Sequence, residues 1–282
     1  MTGNAEHERL VTPHFVVTPR KGYGPSWRDL VAFREVLFFL IWRDIKVRYR
    51  QSLFGIAWAV LQPLILMLVF AFFFGYLGGL SSGGVPYPVF VLAALLPWQL
   101  FANSLASAAS SLVTNQDLIT KVYFPRAFVV FSSIGVGLID FAFAFALLVG
   151  FLVFYDIDIT LRLLLVPVVV TLAVAMSLGA SLWFAALNAR YRDVQIAIPF
   201  LVQTWMFASP IAYATDIVPE AWRSLYAVNP MVGVIDGIRW AVFGEPALSL
   251  GAFGISCLAV AFVLVTGWMF FHRTEHSFAD VL

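Results

Sequence analysis

The chain has 282 residues, of which 61% are hydrophobic and 12% charged, and its formal net charge is +1. Soluble domains carry about 25% charged residues, so an ordinary water-soluble fold is excluded, and the near-zero charge supplies no overall field for holding nucleic acid. The single cysteine, Cys257, excludes an internal disulfide and any metal site built on several cysteines. A bilayer is the solvent that fits this composition, and it points to an all-α integral membrane protein.

Residues 1–54 form a mixed cytoplasmic segment that ends in RDIKVRYR, where Arg43, Lys46, Arg48 and Arg50 stand against apolar sequence with Asp44 as the only nearby acid. At about 100° per residue, Arg43, Lys46 and Arg50 share one stripe while Phe38, Trp42, Ile45 and Tyr49 share a neighbouring one. That pattern predicts an amphipathic helix lying in the membrane interface. The cations there mark the cytoplasmic edge of the first span, serving as an anchor alone or also meeting anionic headgroups or a cytoplasmic partner.

The hydrocarbon core is about 30 Å thick and a helix rises about 1.5 Å per residue, so a crossing takes about 20 mostly apolar residues. Six such runs follow, roughly Gly55–Gly78, Val89–Ala109, Phe128–Phe154, Leu163–Leu187, Ile196–Ala214 and Ala252–Phe271, and they predict a six-span domain over residues 55–282. About fifty residues precede the first run, which is therefore retained rather than cleaved as a signal peptide. With both termini inside, six spans put Arg9, Arg20, Lys21, Arg28, Arg34, Arg43, Lys46, Arg48, Arg50, Lys121, Arg126, Arg190, Arg192 and Arg273 in the cytoplasm. Only Arg162, Arg223 and Arg239 fall outside. The bias toward basic cytoplasmic loops selects this orientation.

The loops differ in kind. TNQDLITKVYFPR, Thr114 to Arg126, and NARYRDV, Asn188 to Val194, are short, polar and cytoplasmic, with Pro125 setting a helix start. They are solvated turns or docking surfaces for another protein. The outer segment, about residues 215–250, carries two apolar stretches, Ala221–Val228 and Met231–Phe243, each too short to cross and broken by Pro219, Pro230 and Pro246. It reads as a hairpin of re-entrant or interfacial helices between spans five and six.

Within the spans Asp140 is the one ionisable residue, and an Asp at a helix centre costs roughly 2.5–3.5 kcal/mol to insert, so it must face protein or water. It either pairs with a neighbouring helix or lines a conduit. Trp58, Trp98, Trp183, Trp205, Trp240 and Trp268 either gather at the interfaces or stack on sugar rings along a channel. Phe70, Phe72, Phe73 and Phe74 cover too much of one helix to face only a pore. His7, His14, His272 and His276 lie near the termini, and neither H-E-x-x-H nor G-x-x-x-x-G-K-[ST] occurs, so no catalytic residues are assigned and no P-loop is expected in this chain.

RDIKVRYRQSLFGIAWAVLQPL, LITKVYFPR, LNARYRDV, NPMVGVIDGIRW and the terminal FADVL resemble, in order, the signature segments of ABC type-2 permeases that export cell-surface polysaccharides. The resemblance implies a homodimer of six-helix subunits in the bacterial cytoplasmic (inner) membrane, each bound to an ATPase subunit, two copies in all. ATP and its Mg would sit on that partner, leaving this chain without cofactor or metal. The family's substrates are undecaprenyl-linked glycans: O-antigen, capsule or teichoic-acid polymers. By the same resemblance the ATPase-docking residues are Arg43, Lys46, Gln116, Asp117, Lys121 and Arg126, with Arg190, Arg192 and Asp193 as a further contact.

A lipid-linked glycan presents a pyrophosphate at the inner leaflet, and Arg forks match phosphate, which assigns Arg48 and Arg50 to the headgroup. Asp140, Trp58, Trp98 and Trp205 are the candidate conduit lining. Two other classes stand beside this reading. A secondary transporter would need several intramembrane carboxylates in repeated halves. A membrane glycan transferase or polymerase would use outer residues such as Asp216, Glu220, Arg223, Asp236, Arg239 and Glu245.

Overall fold

The computed structural model describes residues 31–50, 52–122, 124–244, 249–275 and 278, and every regular element among them is helical. Arg9, Arg20, Lys21, Arg28, His7, His14, His276, Glu245, Pro246 and residues 279–282 lie outside the described residues.

Among the described residues, ten helices follow one another from Arg34 on. They are α1 (Arg34–Tyr49), α2 (Trp58–Phe70), α3 (Tyr87–Thr114), α4 (Gln116–Lys121), α5 (Ala127–Phe154), α6 (Val166–Arg190), α7 (Asp193–Phe207), α8 (Glu220–Tyr226), α9 (Pro230–Phe243) and α10 (Leu250–Thr274). A 3-10 turn, Gly55–Ala57, leads into α2 and a wide π turn, Ala71–Leu77, extends it. Five continuous helical segments among the described residues are long and apolar enough to cross a bilayer: Gly55–Leu77, Tyr87–Thr114, Ala127–Phe154, Leu161–Arg190 and Leu250–Thr274.

Hydropathy thus located five of the six expected runs as long helices, and the fifth run takes a different form. There α7 has 15 residues, about 22 Å of helix at about 1.5 Å per residue. It ends where Ser209 precedes Pro210, since the residue before a proline is pushed away from helical geometry. Ser209 Oγ donates to the Trp205 carbonyl oxygen at 2.9 Å and closes the last turn. The chain then runs irregularly to Ala214.

The bundle is built around α3. Its apolar window is 78% buried, against 17% for the windows of α2 and of α10, so α3 is the hub and the other two present broad apolar outer faces. It packs against α5 and α6, and α6 in turn against α10. The α6–α10 crossing is close because two glycines meet there. A Cβ on Gly179 would stand 2.6 Å from Leu264 Cα, and one on Gly267 would fall on the Gly179 carbonyl. Small residues of this kind let membrane helices approach backbone to backbone. The phenylalanines of the first span divide as their spread around the helix requires: Phe70 is buried, while Phe72 and Phe73 are more than half exposed.

Contacts sort the elements into two ends. At one, Arg43 Nη2 donates to Asn115 Oδ1 at 2.7 Å, Asn188 Nδ2 to the Ala109 carbonyl at 2.9 Å, and Arg126 to the Glu275 carbonyl. At the other, Tyr87 Oη donates to the Ala212 carbonyl at 2.6 Å and the Arg162 guanidinium lies 6.0 Å from the Trp240 ring.

Candidate functional site

The segment RDIKVRYR forms the end of α1 and its C-cap, and α1 packs against α5. Leu40 is buried, Ile41 lies against Gly135, and Asp44 Oδ2 accepts from Ser132 Oγ at 2.8 Å. Phe38 and Trp42 turn outward at 71% and 50% exposure, so the packed face is the Leu40–Asp44 face and not the Phe38–Trp42 stripe. Lys46 Nζ sits 5.1 Å above the Trp42 ring on that outer side.

Two of these cations have carboxylate partners, and one of those partners is not the nearby Asp44. Arg43 pairs with Asp44 at 2.7 Å, and Arg48 Nη1 reaches Asp140 Oδ2 on α5 at 2.6 Å. Tyr49 donates its hydroxyl to the other oxygen of the same carboxylate. Burial, and then the neighbouring carboxylate, hold the Tyr49 phenol well above its usual range, so it stays a donor. Asp140, expected either to pair with a neighbouring helix or to line a conduit, takes two side chains from α1, the helix before the first span.

This constellation lines a cavity of about 290 Å³ with Ser52, Trp58 and Gln62 from the start of the first span, Gln99 and Asn103 from α3, and Phe141 from α5. The cavity brings together Asp140 and Trp58 of the four proposed lining residues. Trp98 is buried against Phe101 in the bundle core. Trp205 packs edge-on to the other side of Phe101, donates its Nε1–H to Asn229 Oδ1 at 2.8 Å, and borders a separate apolar groove between α7 and α8. The amides were missed in the sequence, although their signal was there: polar side chains inside apolar runs have to face an interior.

The other named residues cluster at the same end of the bundle as α1. Gln116, Asp117 and Lys121 are exposed on α4, with Lys121 Nζ 3.2 Å from Asp117 Oδ1. Arg190 ends α6 above Tyr191, and Arg192 and Asp193 open α7, all exposed. Arg50, next to the end of α1, is exposed as well.

At the opposite end, Arg239 is fully buried. It donates to the carbonyl oxygens of Pro210 at 2.7 Å, Ile211 at 2.9 Å and Tyr213 at 3.2 Å, and lies 3.5 Å above the Phe90 ring. The Asp236 carboxylate accepts the one hydroxyl hydrogen of Thr215, and Arg223 donates to the carbonyls of Val218 and Asp216. These charges hold backbone in place. The guanidiniums that a transferase would turn toward a substrate are engaged in structure.

Apolar helices of crossing length around a buried apolar core, with a polar cavity between α1 and the spans, define a multi-pass membrane protein. The sequence pattern of the ABC-2 type transporter family matches residues 35–243, and the chain belongs to that family. It is 32% identical over 244 residues to the O-antigen export system permease protein RfbA of Myxococcus xanthus, covering 83% of this chain and 92% of that one. The Klebsiella pneumoniae protein of the same name is 26% identical over 250 residues, 88% and 95% of the two chains. The polysialic acid transport protein KpsM of Escherichia coli is 26% identical over 236 residues, 82% and 88%.

Proposed function

We propose that this chain is the transmembrane subunit of an ATP-driven exporter that moves an undecaprenyl-pyrophosphate-linked, O-antigen-like polysaccharide across the bacterial cytoplasmic membrane. The observation that carries the reading is the near full-length similarity to O-antigen and polysialic acid transport permeases. The fold supports it. The outer faces of α2 and α10 and the groove bordered by α7 are apolar and open, which suits a second copy of the chain, and the pathway for the glycan then lies between the copies. The exposed charges of α1, α4 and the α6–α7 junction share one end, which suits an ATPase docked in the cytoplasm, with ATP and Mg held there.

The six-crossing topology belongs to this proposal. Asp193 begins α7 beside the end of α6, and Ala212 beyond it meets Tyr87 at the opposite end of the bundle, so the chain traverses the full thickness through a short helix and an irregular tail. The Ala227 carbonyl accepts from Ser256, two turns into α10, which supports a re-entrant α8–α9 hairpin. Both termini are then cytoplasmic. The similarity to KpsM keeps capsular polymers as a second substrate reading.

Deleting the gene in its host should abolish the surface polymer and leave lipid-linked glycan at the inner leaflet, with complementation restoring export. Unchanged surface glycan would overturn the proposal.

A further inference from the structure

Three membrane spans send amide or carboxylate groups into one cavity: Gln62 from α2, Gln99 and Asn103 from α3, and Asp140 from α5. Gln99 Nε2 is enclosed and has no hydrogen-bond partner among the described residues. A buried amide donor without a partner is unfavourable, and intramembrane polar groups that face a cavity mark a pathway or a ligand. Tyr49, Trp58 and Phe141 add aromatic surface to the lining, beside Leu96 and Leu100.

We propose that this cavity is a binding site for a single sugar ring of the exported glycan, an inference that rests on the export reading above. The chemistry selects this occupant over others. Amides donate and accept and an ionised carboxylate only accepts, which together match the donor and acceptor hydroxyls of a pyranose. Aromatic surface suits its apolar C–H face. An acyl or isoprenoid tail would strand the four polar groups, and a phosphate inside would meet the Asp140 carboxylate. The volume of about 290 Å³ is at the lower end of ligand pockets, which begin at about 300 Å³, so it takes one ring and not a chain segment. Arg48 is the more exposed member of its pair, 35% against 15% for Asp140, and is placed to meet a phosphate attached to that ring.

The test uses the full-length chain with its ATPase in lipid nanodiscs. Binding is measured for undecaprenyl pyrophosphate and for its forms carrying one glucose or one N-acetylglucosamine. The parent should bind at least one glycosylated lipid about tenfold more tightly than the bare one, the worth of about one good hydrogen bond. Gln99→Leu and Gln62→Leu, each apolar and similar in size, should erase that preference while bare-lipid binding stays, which also reports an intact fold. Equal parental affinity for all three lipids, or an undiminished preference in both variants, overturns the sugar site and leaves the export reading standing. Binding of none of the lipids by the parent overturns the export reading and the sugar site together.

Discussion

Arg48 and Asp140 are separated by 92 positions in the chain and by 2.6 Å in space, so the last turn of the surface helix is ionically tied to the middle of a membrane span. Tyr49 takes the second carboxylate oxygen, so both ligands come from α1. A movement of α1 driven from the cytoplasm would be transmitted to α5 through this carboxylate and through the Asp44–Ser132 contact.

The pair makes a direct prediction. Arg48→Ala and Asp140→Ala should each lower thermal stability in detergent, and the double variant should lose less than their sum. A coupling of about 1 kcal/mol is expected for contacting, partly exposed groups. Strict additivity in a double-mutant cycle would show that the two do not interact. The swap Arg48→Asp with Asp140→Arg should recover part of the lost export.

Arg239 offers a sharper contrast between size and charge. Arg239→Lys keeps the charge but cannot fork to the carbonyls of Pro210 and Ile211, and leaving such groups unpaired costs about 1–3 kcal/mol each. We expect a marked drop in folded yield and in melting temperature. A Lys variant as stable as the parent would mean that the fork does not hold the Pro210–Tyr213 segment.

The α6–α10 crossing predicts that Gly179→Ala is damaging although Ala is the better helix former. Its methyl would press on Leu264 backbone and cost about 1–3 kcal/mol through overpacking. Gly150→Ala on α5, which faces open space, should be neutral in the same melting experiment and serves as the control.

Much of this fold is legible in the sequence because membrane crossing is a local property of composition. Gly55–Leu77 or Ala127–Phe154 need no tertiary information to be recognised as spans. The fifth run is not legible in the same way: its apolar residues continue past Pro210, whereas the helix stops before it. Long-range pairing is equally hidden. Nothing near Arg48 in the sequence names Asp140, and Arg239 passes for an outer-loop cation until Ile238 and Trp240, its apolar neighbours, are read as part of a buried helix. Gln99 and Asn103 look unremarkable singly and acquire meaning only when α2 and α5 bring Gln62 and Asp140 to the same cavity.

Topology has its own readout. With Cys257 replaced by Ala, single cysteines at Ser81 and Ser224 should react with an impermeant thiol reagent in intact cells, and one at Thr120 should react only after permeabilisation. All three side chains are exposed on the bundle. Labelling of Thr120→Cys from outside would invert the topology and move every docking residue to the wrong side.

The most direct test of the central claim is ATP hydrolysis coupled to translocation. The purified chain is reconstituted in vesicles with and without an ABC ATPase from its host, and lipid-linked glycan is offered on the ATPase-bearing face. The account predicts no hydrolysis by the chain alone, hydrolysis by the pair, and ATP-dependent appearance of glycan on the opposite face. Hydrolysis by the chain free of any other protein, or a pair that hydrolyses ATP while the glycan stays where it was offered, would contradict it.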